Sequence, residues 1–208
     1  MRSLKKILCY GDSNTYGYNP TDGSRFNNTI RWTALLQNNL EKDFEVINEG
    51  VCDRCGFVDN DKGFLFSTQR HFPKIIAKTK DIDILILWVG TNDLQFKYDL
   101  TIHQFENGLE KLIVTAKNYA KRIIIIPPVV LNNNVLKGNF NYQFDETSIS
   151  KSKKVGKIYR KLSNVYRLNY LDLNDIVKPS NTDGLHYDSK GHKIIAAKLG
   201  DYIKSIFI

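Results

Sequence analysis

Three short blocks in this chain hold the residue types that can cleave an acyl bond: Gly11-Asp12-Ser13-Asn14-Thr15, Gly90-Thr91-Asn92-Asp93 and Asp183-Gly184-Leu185-His186. They supply a serine hydroxyl, an amide side chain, a carboxylate and an imidazole. A serine hydroxyl becomes a nucleophile only beside a base. The base needs a group that orients it, and the oxyanion it generates needs fixed donors. Each block alone has an ordinary reading: Ser13 as a helix cap, Asn92 and Asp183-Gly184 as turn formers, His186 as a surface histidine. Their shared position argues for chemistry, because each block stands beyond a run that reads as a buried strand.

The elements that position them follow from hydrophobic period. Strands are expected at Leu4–Tyr10, Phe44–Asn48, Ile82–Val89, Ile123–Ile126 and Tyr170–Leu173. Ile82–Val89 is nearly continuous in apolar residues, as a strand covered on both faces should be. Helical spacing runs through Trp32–Leu40, about 69–79, 102–119, the lysine-rich stretch around 151–166, and about 189–205. Residues 51–68 and about 129–146 carry no clean period. Strand–helix alternation of this kind implies an α/β fold with a parallel sheet between two helical layers. In such sheets ligands bind beyond the C-terminal strand ends. The spacing therefore brings the loops after strands one, two, three and five into one crevice. No linker or repeat divides residues 1–208, which read as a single domain.

Composition narrows the classes. The 208 residues suffice for one sizeable core, and 42% hydrophobic with 25% charged residues excludes a disordered or collagenous chain. The apolar run after Lys5-Lys6 is too short for a secretory segment, and no run reaches transmembrane length, so a cytoplasmic protein without stable membrane insertion is expected. Three cysteines, Cys9, Cys52 and Cys55, do not make a disulfide framework, and Cys52-x-x-Cys55 lacks the second ligand pair a zinc site needs. The net charge of +8 is densest at Lys151, Lys153, Lys154, Lys157, Arg160 and Lys161. Apolar residues interleave with these at helical spacing, which makes the bases a solvated helix face rather than a nucleic-acid surface. Among the other histidines, His192 falls on the last helix and is expected to be exposed.

Phosphate-binding patterns are absent. Gly11–Thr15 lacks the Gly-Lys-Ser/Thr of a Walker loop, no G-x-G-x-x-G opens a helix, and Thr15 stands where a lipase-type elbow needs its second glycine. Gly11-Asp12-Ser13, Gly90-Thr91-Asn92-Asp93 and Asp183-x-x-His186 instead resemble the SGNH (GDSL-type) hydrolases, over nearly the whole chain. Gly11–Tyr18, with Arg31-Trp32 and Glu49-Gly50, is similar to the arylesterase, acetyl-xylan esterase and acyltransferase branch. The resemblance implies a three-layer, flavodoxin-like α/β/α fold with a five-stranded parallel sheet. It also implies a serine esterase with Ser13 as nucleophile, His186 as base and Asp183 as its orienting acid, with no metal or organic cofactor. The oxyanion donors would be the Ser13 N–H, the Asn92 amide and a backbone N–H of the second block.

That last position departs from the family. Where the family usually carries a glycine, this chain has Asp53, with Gly50 as the alternative donor. A carboxylate beside a developing oxyanion would have to turn away, and Arg54 is the nearest base in sequence. Asp12 and Trp32 are the expected pocket residues. The partner is then a small-molecule ester, with short acyl groups favoured by the resemblance. Acyl transfer, lysophospholipid or thioester cleavage, a degenerate ligand binder and a flavin protein are the rival readings. Phe57, Phe64 and Phe66 in one irregular stretch, and Phe140, Tyr142 and Phe144 in the other, would either roof the pocket or form a homo-oligomer contact.

Overall fold

The apolar runs pair with one another in parallel. In the computed structural model, which describes residues 4–40 and 42–207, β1 (Lys5–Gly11), β2 (Phe44–Gly50), β3 (Ile82–Trp88), β4 (Ala120–Ile125) and β5 (Asn169–Tyr170) form one sheet in the order β2-β1-β3-β4-β5. Every pairing is parallel. The helices are α1 (Ser13–Tyr16), α2 (Trp32–Asn39), α3 (Thr68–Thr79), α4 (Ile102–Ala116), α5 (Glu146–Tyr166) and α6 (Ser189–Phe207). α2 packs on α6 in one layer, and α4 packs on both α3 and α5 in the other. This is the flavodoxin-like order, whose switch point between β1 and β3 opens the ligand crevice.

The central strand is the driest. Ile7, Leu8, Cys9 and Tyr10 of β1 are fully buried, as are Ile84, Leu85 and Ile86 of β3. The basic face of α5 is solvated as its pattern requires: Lys153, Lys154, Lys157, Arg160 and Lys161 are exposed while Val155, Ile158, Tyr159 and Leu162 are buried.

Two strands differ from their sequence signal. β4 begins at Ala120 rather than Ile123, because the ladder continues through Lys121 and Arg122 at the polar edge of the sheet, where Lys121 Nζ meets Asp83 Oδ1 at 2.8 Å. Apolar period cannot register such residues. β5 is only two residues long, because Asp172 Oδ1 accepts from the Asn174 N–H at 3.0 Å and turns the chain out of the ladder.

His192 corrects its expected place. It is fully buried between α6 and α2, where its Nδ1 accepts from the Trp32 N–H at 3.2 Å. No side chain of the preceding residue caps α2, so this imidazole satisfies its first donor. Burial lowers the His192 pKa to about 4 from an ordinary 6.5. The folded state thus binds fewer protons than the unfolded chain between those values. Stability is at its plateau above pH 6.5 and falls as the pH drops toward 4, by about 3 kcal/mol for this group. Urea midpoints measured from pH 7 to 4 should show that slope, and His192→Asn should reduce it, the remainder coming from His71, whose pKa burial also lowers to about 4.

Candidate active site

Ser13 opens the single turn of α1, immediately after β1 ends. Asp12 caps that turn, its Oδ1 accepting from the Asn14 N–H at 3.0 Å. The turn lies directly on β2: a Cβ on Gly50 would come within 2.1 Å of the Tyr16 nitrogen, so only glycine allows the approach. Asn48 ties the same corner together, its Nδ2 donating to Thr15 O and to Thr33 Oγ1, both at 2.8 Å.

The third block and the last one meet Ser13 from either side. His186 Nε2 lies 2.8 Å from Ser13 Oγ, and His186 Nδ1 lies 2.7 Å from Asp183 Oδ2. The other carboxylate oxygen, Oδ1, accepts from the backbone N–H groups of Leu185 and His186, each at 2.9 Å. Asp183 is therefore fixed within its own loop before it touches the imidazole. Gly184 makes that loop feasible: its φ is +71°, and a Cβ there would meet Asn132 Oδ1 at 2.5 Å. None of the three side-chain-bearing residues Ser13, Asp183 and His186 is more than 6% exposed.

Asn92 stands at the start of a 3-10 turn after β3. Its Nδ2 donates to Arg54 O at 3.0 Å, while its Oδ1 accepts from Gln95 Nε2 at 3.1 Å. The orientation of the amide is thus held at both ends, with one N–H left over. Asp93 anchors the facing loop by accepting from the N–H groups of Gly56, Phe57 and Val58 at 2.6, 2.6 and 3.0 Å. Complete burial nevertheless raises its pKa to about 6.

The two candidates of the second block differ in their hydrogen bonding. The Gly50 N–H is taken up by Asn48 Oδ1 at 2.9 Å, which leaves it no proton for a ligand. The N–H groups of Asp53 and Ser13 have no partner among the described residues. Asp53 has φ +60°, the left-handed region that suits glycine, as the alignment with a family glycine anticipates. Its carboxylate turns to Lys62, with Oδ2 2.7 Å from Nζ, and not to Arg54. Arg54 is fully buried and spends its guanidinium on Gly11 O at 2.9 Å, on Glu49 O and on Leu65 O at 3.2 Å, beneath the Tyr10 ring.

Two expected pocket residues lie behind the site instead. Asp12 and Trp32 are both fully buried; the one caps α1, and the other donates from Nε1 to Asn14 O at 2.9 Å. Both hold the serine turn without facing the cavity. That cavity, of about 190 Å³, is lined by Ser13, Asp53, Asn92 and His186 together with residues not expected in the pocket from the sequence: Tyr18, Cys52, Gln143 and Leu185. Phe140 and Tyr142 complete it, so this half of the 129–146 stretch roofs the site, whereas Phe144 is core. In the other stretch Phe57 packs edge-on against Phe105, with centroids 4.7 Å apart, and is core as well. Tyr18 lies over His186 with ring centroids 4.2 Å apart, and Phe140 flanks it at 5.2 Å. Burial pushes the Cys52 thiol up to about 12, which keeps it an inert wall. Among the described residues no group of three or more His, Cys, Asp or Glu side chains is placed to hold a metal ion, and no helix is long and apolar enough to cross a membrane.

Comparison with known proteins agrees with this fold. Residues 9–194 match the model of the GDSL-like lipase/acylhydrolase family. An isoamyl acetate-hydrolyzing esterase of Schizosaccharomyces pombe is 27% identical over 146 residues, which is 64% of this chain and 56% of that protein. The chain thus spans little more than half the length of this curated relative. Among solved structures, the aryl esterase of M. smegmatis superposes with a TM-score of 0.90 at 24% identity, covering 97% of this chain and 99% of that one. Est24, a carbohydrate acetylesterase from Sinorhizobium meliloti, gives 0.86 at 22% identity over 97% and 99% of the two chains. The chain belongs to the GDSL-like lipase/acylhydrolase family.

Proposed function

We propose that the protein hydrolyses short-chain carboxylic esters through an acyl-enzyme on Ser13. The observation that carries this reading is the continuous relay from Asp183 through His186 to Ser13, with both contacts below 3 Å. Ser13 Oγ attacks the ester carbonyl while His186 Nε2 takes its proton, and Asp183 stabilises the imidazolium that forms. The tetrahedral oxyanion is met by the N–H groups of Ser13 and Asp53 and by the spare N–H of Asn92. Collapse expels the alcohol, which receives the proton from His186. Water then repeats the sequence on the acyl-enzyme and releases the acid.

Size supports short acyl groups. The cavity of about 190 Å³ is below the roughly 300–1,000 Å³ typical of sites for larger ligands. Tyr18, Phe140 and Tyr142 stand in its wall. Hydrolysis of 4-nitrophenyl esters from acetate to laurate tests this. Turnover should peak at acetate or propionate and fall by at least about 100-fold at laurate, since a misfit of several methylenes exceeds 3 kcal/mol. A maximum at the long esters would replace this reading with a lipid hydrolase.

The Asp53 assignment rests on its backbone alone. Asp53→Gly keeps the N–H, suits φ +60° and removes a negative charge from beside the oxyanion. Its kcat on 4-nitrophenyl acetate should be equal to or above that of the wild type. A collapse would assign the carboxylate itself a part in the reaction.

A further inference from the structure

The cavity over Ser13 does not end at its aromatic roof. Asp53, Tyr142 and Gln143 also line a second cavity of about 140 Å³, closed on its other sides by Asn60, Lys62, Gln95 and Lys97. The two cavities are adjoining lobes of one site, and they differ in character. Tyr18, Phe140 and Tyr142 wall the first among polar residues, while in the second Tyr142 is the single aromatic and the other lining side chains are amides, lysines and Asp53. Lys62 Nζ is held at its edge, 2.7 Å from Asp53 Oδ2. Lys97 has no carboxylate partner among the described residues; its ammonium lies 4.6 Å from the centre of the Tyr98 ring. Lys62 is compensated by Asp53, with Asp61 also acting on it, so Lys97 is the ammonium the lobe can offer to an anion. Gln143, itself buried, has an unpartnered amide oxygen. Turning that amide lets Tyr142 Oη donate to the oxygen and frees its N–H groups for an acceptor.

The relay fixes which half of an ester this lobe receives. His186 lines the first lobe and not the second. A leaving alcohol must lie against His186 Nε2 to collect its proton, so the second lobe lies on the acyl side. The same arrangement gives the Asp53 side chain a task. A backbone position that glycine would occupy with less strain holds an aspartate, and its carboxylate draws a lysine ammonium to the junction of the lobes.

We propose that this polar lobe binds an anionic group at the far end of a short acyl chain, making half-esters of short dicarboxylic acids the preferred substrates. This rests on the esterase reading above and narrows it to an acyl class. The test compares monoethyl glutarate with ethyl glutaramate, which has the same shape and polarity but no charge, by following acid release in a pH-stat. The wild type should favour the anionic ester at least tenfold in kcat/KM. Raising the salt to about 0.5 M should erode the preference, because the lysines are partly solvated. Lys97→Gln should lower the ratio several-fold. Lys62→Gln should lower it further, since it also leaves Asp53 as an unpaired negative charge. A wild-type ratio near one, or a ratio unchanged in the double variant, overturns the proposal. Ser13-dependent cleavage of 4-nitrophenyl acetate runs as the control: its presence with a ratio near one defeats this inference alone, and its absence defeats the esterase reading as well.

Discussion

Ser13→Ala should lower kcat on 4-nitrophenyl acetate by at least about 10^4-fold while leaving KM within a few-fold. Removing a nucleophile that works with its base as a unit abolishes the acyl-enzyme route, and only the weak catalysis of the remaining donors and binding surface persists. The substitution deletes one hydroxyl whose hydrogen bond is to His186. Its cost to folding is one buried polar contact, about 1 kcal/mol, so a melting curve should separate lost chemistry from lost structure. Covalent capture sharpens the result. A fluorophosphonate should add one adduct mass to the wild type and none to the variant. Equal, feeble hydrolysis by two folded proteins would leave ligand binding without catalysis as the better account.

The residues of the candidate relay were legible because each depends on local chain geometry. Asp183 and His186 stand three residues apart in one loop, where a carboxylate can reach its own imidazole without help from another segment. Ser13 and Asn92 follow the two most apolar strands, and a parallel sheet puts both strand ends on one edge. What surrounds them was not legible, because it depends on long-range packing. Lys62 meets Asp53 from within a stretch that has no period. Tyr18 and Phe140 come to the faces of His186 from loops far apart in sequence. Trp32 and His192 show how tertiary context overrides a local signal. An aromatic near a pocket motif became core, and a histidine on a helix was drawn inward to satisfy a helix start without a cap of its own. Asp12 lies beside Ser13 in sequence, yet its side chain folds back to cap the turn and does not line the cavity.

Asp183→Asn should reduce kcat by about 10^4-fold with little change in stability, and the geometry explains why both halves hold. Asp183 Oδ1 accepts two backbone N–H groups at 2.9 Å, and an asparagine oxygen can accept the same pair. The loop therefore keeps its anchor. The amide nitrogen must then face His186 Nδ1, where Oδ2 now lies at 2.7 Å. An N–H donor at that point forces Nδ1 to be the unprotonated nitrogen and moves the proton to Nε2. In that tautomer Nε2 donates to Ser13 Oγ and cannot take its proton. Asp183→Ala behaves differently, because it strands two N–H donors in a buried loop at about 1–3 kcal/mol each. The pair of variants thus divides orientation of the base from support of the loop. Were the asparagine variant to lose only tenfold, Asp183 would be a loop anchor and no more, and the base would owe its orientation to the aromatic faces of Tyr18 and Phe140.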